Sequence, residues 1–248
     1  MSAKKFSEDH RVVYYETDIN GSLSIGRLID LMMLVSGDQS NQLGVTDQKV
    51  GALGLGWVVT QHIIDIKRMP RVNEVVKITT QAKSYNRYFC YRDFWVADKN
   101  DNQLVKMHSV FVLMDRTKRK IVRLPEEIVA PYECEYTRKI ERLAAPRPVE
   151  KSSGEKKYRV RFMDIDGNRH VNNVHYFDWM LDALPAEFLT NHQLVQMNIQ
   201  YRQEVYYRAM VTSAVELDEI KQISRHVITT EGEQNCLAEC QWTNVKQK

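Results

Sequence analysis

The stretch Asp166-Gly-Asn168-Arg-His170-Val-Asn172-Asn173-Val-His-Tyr176 gathers a carboxylate, several amides and an imidazole into a loop that opens an amphipathic helix. These group types suit attack of water on a carbonyl. A carboxylate or imidazole handles the proton, and amide or helix-start N–H groups can hold the developing negative charge. The first N–H groups of a helix have no partner within it, so they point toward whatever sits at its start.

The elements around this loop occur twice. Asp18-Ile-Asn20-Gly21 aligns with Asp164-Ile-Asp166-Gly167 at a constant spacing of 146 (18 to 164), and Leu28 meets Val174. Each copy continues as a helix, with Ile25, Leu28, Leu31 or Met32, and Val35 on one stripe, and Val174, Phe177, Leu181 and Leu184 on the other. Pro185 is expected to close the second helix. β-branched and aromatic runs follow at Trp57–Ile66, Glu74–Thr80, Tyr88–Val96 and Leu104–Met114, and again at Val195–Tyr201, Ala209–Glu216, Ser224–Thr230 and Asn235–Thr243. The pattern predicts an α+β fold, one long helix wrapped by an antiparallel sheet, used twice. Pro146, Pro148 and Ser152-Ser-Gly-Glu mark a linker. The expected division is 1–130, a linker over 131–157, and 158–248.

In this alignment Asn20, Ser22 and Ser24 stand opposite Asp166, Asn168 and His170, and a separate alignment of Ile64-Asp-Ile-Lys with Ile199-Gln-Tyr-Arg sets Met69 opposite Glu204. The first copy then lacks the imidazole and both carboxylates, which predicts one active site per chain. Asp18 and Asp164 are read as turn or cap residues. Asn172 and Asn173 serve either as helix-start amides or in substrate binding. His175 is assigned to structure or surface, and His62, His108 and His226 fall in strand patterns as sheet histidines. The Met32-Met33 pair reads as core first and channel wall second.

Composition narrows the class. The 248 residues are 43% apolar and 27% charged, ordinary for a globular protein, and no run reaches the ~20 apolar residues of a membrane helix. The opening residues are too polar for a secretory signal, so a cytoplasmic protein without membrane insertion is expected. Cys90, Cys134, Cys236 and Cys240 contain no CxxC pair, so no metal site is expected and reduced thiols are. A net charge of +3 is too small to suggest nucleic acid.

The chain resembles the acyl-acyl-carrier-protein thioesterases of plants and bacteria. The resemblance is carried by Trp57-Val-Val-Thr60, Arg92-Asp-Phe-Trp95, Ser109–Ile128, Asp166–Trp179 and Tyr201-Arg-Gln-Glu204, in the family's order over nearly the whole chain. It implies a tandem double hot-dog fold, with a first half that lodges the acyl chain and a catalytic second half. It further implies hydrolysis of fatty acyl-carrier thioesters to free fatty acid, without a cofactor. Carried over position by position, the catalytic residues are Asp166, Asn168, His170 and Glu204. Many plant members place a cysteine after that glutamate; Val205 stands there in this chain, which excludes a covalent Cys–His route through that position and leaves activation of water. Glu204, or His170 with it, would take the proton. Asn168 and a helix-start N–H would hold water or oxyanion, and Asp166 would orient the loop. Trp57, Ser24 and Met32 join Asn172 and Asn173 as substrate-binding candidates. Carrier proteins are acidic, and Lys118, Arg119, Lys120 and Arg123 form a candidate docking patch, with Lys67, Arg68 and Arg71 as a second. Rival readings keep the chemistry on coenzyme A thioesters, or treat the chain as a non-catalytic acyl-binding sensor. Pairing of two chains stays open.

Overall fold

Each half begins with a strand that hydrophobic periodicity does not reveal. The computed structural model describes residues 3–245. β1 (Lys5–Arg11) leads through a 3-10 turn at Tyr14–Glu16 into α1 (Ile25–Gln42) and a short α2 (Asp47–Ala52). Strands β2 (Leu55–Ile66), β3 (Val75–Tyr85), β4 (Phe89–Ala97) and β5 (Gln103–Asp115) follow. A hairpin to β6 (Lys120–Ile121), then α3 (Glu126–Val129) and β7 (Glu135–Tyr136), end this half. The second half repeats the plan with β8 (Gly154–Arg159), a 3-10 turn at Phe162–Asp164, α4 (Val174–Asp182) and α5 (Ala186–Asn191). It closes with β9 (His192–Tyr201), β10 (Met210–Asp218), β11 (Ile223–Thr230) and β12 (Glu233–Asn244). β1 and β8 are outermost in the sheet and rich in charge, as edge strands often are, so they carry no apolar signature.

The strands form one sheet in the order β1-β3-β4-β5-β2-β9-β12-β11-β10-β8. Read outward from β2 and β9, the order is the same in both directions. The halves join where Gln61–Asp65 pair antiparallel with Gln200–Gln196. Each half is a helix wrapped by five strands, the α+β tandem double hot-dog expected. Ile25, Leu28, Ile29 and Met32 of α1 and Phe177 and Met180 of α4 sit in one apolar core with Ile64, Phe94, Met107, Met197, Ile199 and Ile228. Burial of each such side chain contributes about 1.5–3 kcal/mol. The helices approach closely at Gly26, where an added Cβ would lie 3.4 Å from Asp178 Oδ1 and 3.6 Å from the Val174 carbonyl. No helix among the described residues is long and apolar enough to cross a membrane.

Two boundaries differ from expectation. Pro185 follows the end of α4 and also stands as N-cap of α5. β7 and the first residues of β8 lie inside the expected linker, because β7 adds in parallel to β3 and β8 pairs with β10. The connection between them is fastened to the sheet. Gln61 Nε2 and Asn198 Nδ2 both donate to the Ala144 carbonyl at 2.8 Å, straddling the junction of the halves.

Backbone hydrogen bonds also correct the register of the duplication. Asp18 N donates to Ser22 O as Asp166 N donates to His170 O, and Ser24 N to Glu16 O as Asn172 N to Asp164 O. The bridge Thr17–Leu23 matches Ile165–Val171. The spacing in this loop is therefore 148 (18 to 166), two more than the sequence alignment gave. The left-handed residue is Gly21 (φ 69°) in one copy and Arg169 (φ 69°) in the other, not Gly167. The slip arose because the second loop has aspartates at both 164 and 166, so Asp-Ile-x-Gly matched in the wrong frame. The alignment of Met69 with Glu204 holds: Leu23 N donates to Pro70 O as Val171 N donates to Val205 O.

Candidate active site

The loop between the 3-10 turn and α4 is built by its own polar groups. Asp166 Oδ1 accepts from Asn168 N at 2.8 Å, and Asn172 Oδ1 accepts from Val174 N at 3.3 Å. Asn172 O accepts from His175 N at 3.0 Å. The first amides of α4 are thus engaged by Asn172, so they do not supply the oxyanion donor expected of a helix start. Asn172, one residue before the N-cap Asn173, takes up these amides, and Asn173 is the amide that reaches the cavity.

That cavity, about 420 Å³, lies between the halves. The second half contributes Asp166, Asn168, His170, Asn173, Tyr176 and Glu204; the first contributes Trp57–Thr60, Arg119 and Ile121. His170 Nδ1 lies 3.0 Å from the Val171 carbonyl. A carbonyl only accepts, so the proton sits on Nδ1, and the Nε2 of the neutral ring is the free acceptor. Nε2 is 3.6 Å from Glu204 Oε1, beyond a direct hydrogen bond, and Nδ1 is 4.0 Å from Asp166 Oδ1.

Glu204 lies on the loop after β9, which a bond from Val171 N to Val205 O ties to the loop of His170. Arg119 Nη2 and the Tyr206 hydroxyl both donate to its Oε2, the latter at 2.8 Å. Burial alone would raise the Glu204 carboxyl. The Arg119 and Tyr206 hydrogen bonds, with the charges of His170 and Arg119, outweigh it and hold the group below the usual carboxylate range. A second arginine from the same hairpin, Arg116, donates to Asn168 Oδ1 at 3.3 Å. The first half therefore reaches across to two of the four candidate catalytic residues. Neither arginine's role was legible in the sequence, because nothing in a basic hairpin says which way it folds. Tyr206 had only its position two residues after Glu204 as a signal.

The structure brings Asp166, Asn168, His170, Glu204, Asn173 and Trp57 to one cavity and leaves other candidates elsewhere. Met32 is fully buried in the core, on the inner stripe of α1. Its neighbour Met33 instead lines a second cavity of about 210 Å³ in the first half, which shares Trp57 with the first cavity. Ser24 stands at the N-cap of α1 and lines neither cavity. Of the basic hairpin, Arg119 turns inward onto Glu204, while Lys118 lies 3.9 Å from Asp115, so the four residues do not form one free patch. Cys236 and Cys240 are buried in the core, and burial pushes the Cys240 thiol up to about 12; Cys90 and Cys134 line the second cavity. No thiol lines the first cavity.

The first copy works as an internal control once its register is set. Asp18 Oδ1 accepts from Asn20 N and Ser22 N at 2.8 and 3.1 Å. The residues equivalent to Asp166, Asn168, His170 and Glu204 are therefore Asp18, Asn20, Ser22 and Met69. This corrects the expectation that both carboxylates are missing: the aspartate and asparagine persist, and the imidazole and glutamate do not. A carboxylate that ties the same loop in both copies is an organiser of the loop.

Comparison with known proteins adds to this geometry. The chain matches the model of the acyl-ACP thioesterase N-terminal domain over residues 3–132 and that of the C-terminal domain over 148–244. An oleoyl-acyl carrier protein thioesterase of Coriandrum sativum is 27% identical over 248 residues, covering 92% of this chain and 67% of that protein. An acyl-[acyl-carrier-protein] hydrolase of Cuphea viscosissima is 24% identical, covering 96% of this chain and 62% of that protein. The chain thus spans about three-fifths to two-thirds of the length of these plant relatives. A crystal structure from Lactobacillus plantarum, provisionally assigned as an oleoyl thioesterase, superposes with a TM-score of 0.95 at 44% identity, covering 99% of this chain and 98% of that one. A 12:0-ACP thioesterase of Umbellularia californica shares the fold, with a TM-score of 0.87 at 19% identity over 97% of this chain and 98% of that one.

Proposed function

We propose a function from one premise: the chain belongs to the acyl-ACP thioesterase family. It hydrolyses fatty acyl thioesters on acyl carrier protein, releasing free fatty acid, at a single site in its second half. The observation that carries this reading is His170 Nε2 facing the carboxylate of Glu204 across 3.6 Å on a cavity wall that the other half completes.

The geometry favours His170 as the base. Its Nδ1–H is fixed on the Val171 carbonyl, which leaves Nε2 to take a proton from water. Glu204 is a weak base because Arg119 and Tyr206 hold it ionised; its charge instead stabilises the imidazolium as it forms. Hydroxide adds to the thioester carbonyl, the tetrahedral intermediate collapses, and the carbon–sulfur bond breaks. The proton on His170 Nε2 passes to the departing thiolate, giving carboxylic acid and carrier thiol. Arg116 occupies Asn168 Oδ1, which leaves the Asn168 Nδ2 hydrogens as donors for the carbonyl oxygen. Asp166 holds the loop. The second cavity, with Met33, Phe111 and Trp57 on its wall, supports a role for the first half in lodging the acyl chain.

Substitution of His170 by Ala, or of Glu204 by Ala, is expected to lower kcat/KM on an acyl-carrier thioester by roughly 10²–10⁴ while the circular dichroism spectrum is unchanged. Folded variants with wild-type rates would remove both residues from the mechanism. Rates on the carrier and coenzyme A thioesters of one fatty acid decide between those substrates.

A further inference from the structure

We propose that the corner of the second half beside the catalytic loop, built from Arg161, Phe162, Met163, Arg169, Tyr207 and Arg208, is the docking surface for the acidic carrier protein that delivers the acyl chain. The proposal rests on the reading of the substrate as an acyl-carrier thioester.

The corner is one stitched unit. Val160 N donates to Ala209 O and Val171 N to Val205 O, which joins the 3-10 turn, the catalytic loop and the loop of Glu204. The Phe162 and Tyr207 rings meet edge to face at 6.3 Å, and the Arg208 guanidinium lies 5.2 Å over the Tyr207 ring. Phe162 and Met163 are 72% and 80% exposed, as the repeated turn also leaves their first-copy equivalents Tyr14 and Tyr15, at 78% and 72%. Arg169 and Arg208 are exposed beside them. An apolar centre rimmed by arginines fits a partner surface of opposite charge.

The duplication shows that Arg169 and Arg208 are not demanded by the fold, whereas Arg161 pairs with the buried Asp164 at 2.6 Å. The hydrogen-bond pattern makes Val13, Gly21 and Asn73 the first-copy equivalents of Arg161, Arg169 and Arg208. Gly21 and Asn73 occupy left-handed backbone, at φ 69° and 67°, where glycine and asparagine sit readily. Arg169 and Arg208 hold the same conformation, at φ 69° and 70°, against the preference of a residue with a Cβ and a long side chain. The second copy keeps arginine at two positions where the backbone favours something else, one directly before His170 and one four residues after Glu204. Strain held beside a reactive centre is a mark of use, and exposed positive charge on the loops that carry His170 and Glu204 is the use an acidic carrier supplies.

The test returns the corner to the residues of the first copy. An Arg169→Gly/Arg208→Asn variant relieves the backbone, so its Tm should equal or exceed that of wild type. With one acyl chain throughout, KM for the acyl-carrier thioester is expected to rise roughly tenfold with kcat within about twofold. Hydrolysis of the same chain on a carrier-free pantetheine thioester should not change. The wild-type rise in KM from low salt to about 0.5 M should largely vanish in the variant. An unchanged KM and salt response would overturn the proposal. So would a KM effect found only in a Lys118→Ala/Lys120→Ala/Arg123→Ala variant. A wild-type protein that cleaves the pantetheine thioester and ignores the carrier would defeat the substrate reading as well, and that result is distinct from the other two.

Discussion

Glu204 is held on three sides, by His170, Tyr206 and an arginine from the other half of the molecule. This arrangement fixes how the rate should answer to pH. The carboxyl lies below its ordinary value, so its anion persists from neutral pH down into the acid range. Removing the Arg119 cation makes protonation of Glu204 easier, so the carboxylate that supports the base is lost at higher pH. The acid limb of kcat/KM in Arg119→Gln should therefore move upward, by about half a unit to one unit, with kcat down about tenfold. Arg119→Lys should restore most of the limb position. A merely structural role for Arg119 would lower the rate equally at all pH values and leave the limb in place. The candidate side chains were legible at this scale because reaction chemistry restricts their types: an imidazole, an amide and two carboxylates in the right segments. Arg119 was not, since a lysine- and arginine-rich turn reads as solvated surface until the fold aims it.

The helices α1 and α4 and the eight long strands were legible because each buries one face, and periods of 3.6 and 2 survive in the letters. β1 and β8 escaped because an edge strand needs little apolar surface, and α2 and α5 because six residues carry too little periodicity. The two-residue slip between copies has the same origin: identity of letters over a short loop is weaker evidence than the bonds the loop must make. Helix packing gives a further test. An added Cβ at Gly26 would sit at ordinary contact distance from Asp178 and Val174, and alanine restores helix propensity worth about 0.5–1 kcal/mol. Gly26→Ala should be neutral or slightly stabilising in guanidinium unfolding. Gly26→Leu must push α1 from α4 and should cost about 1–3 kcal/mol. Because α4 follows the catalytic loop, the leucine variant should also lose activity. Full activity in Gly26→Leu would show that the helix contact does not position the loop.

Across the whole molecule the sheet runs without a break through β2 and β9, and a buried histidine sits at that seam. His62 packs against Tyr201 with ring centroids 6.0 Å apart, and its Nδ1 is 2.7 Å from Ser109 Oγ. Burial lowers it to about 3, and lowers His226, on β11, to about 4. Both are neutral in the folded protein at pH 5, whereas in the unfolded chain both take up protons below about 6.5. The unfolded state binds more protons, so stability rises with pH and is lost from about 6.5 down toward the folded values. Between pH 7 and 5 each histidine should remove about 2 kcal/mol from the unfolding free energy. Denaturant titrations over that range, with His62→Gln and His226→Gln, check the slope; a flat wild-type profile would contradict it. The covalent join has a consequence of its own. In a symmetric pair of separate subunits every substitution is made twice, so an arginine that helps one site also appears at its twin. Tethering the lobes head to tail ends that obligation: one lobe could trade its imidazole for serine and its glutamate for methionine while lending Arg116 and Arg119 to its neighbour, and neither lobe any longer has a complete centre to call its own.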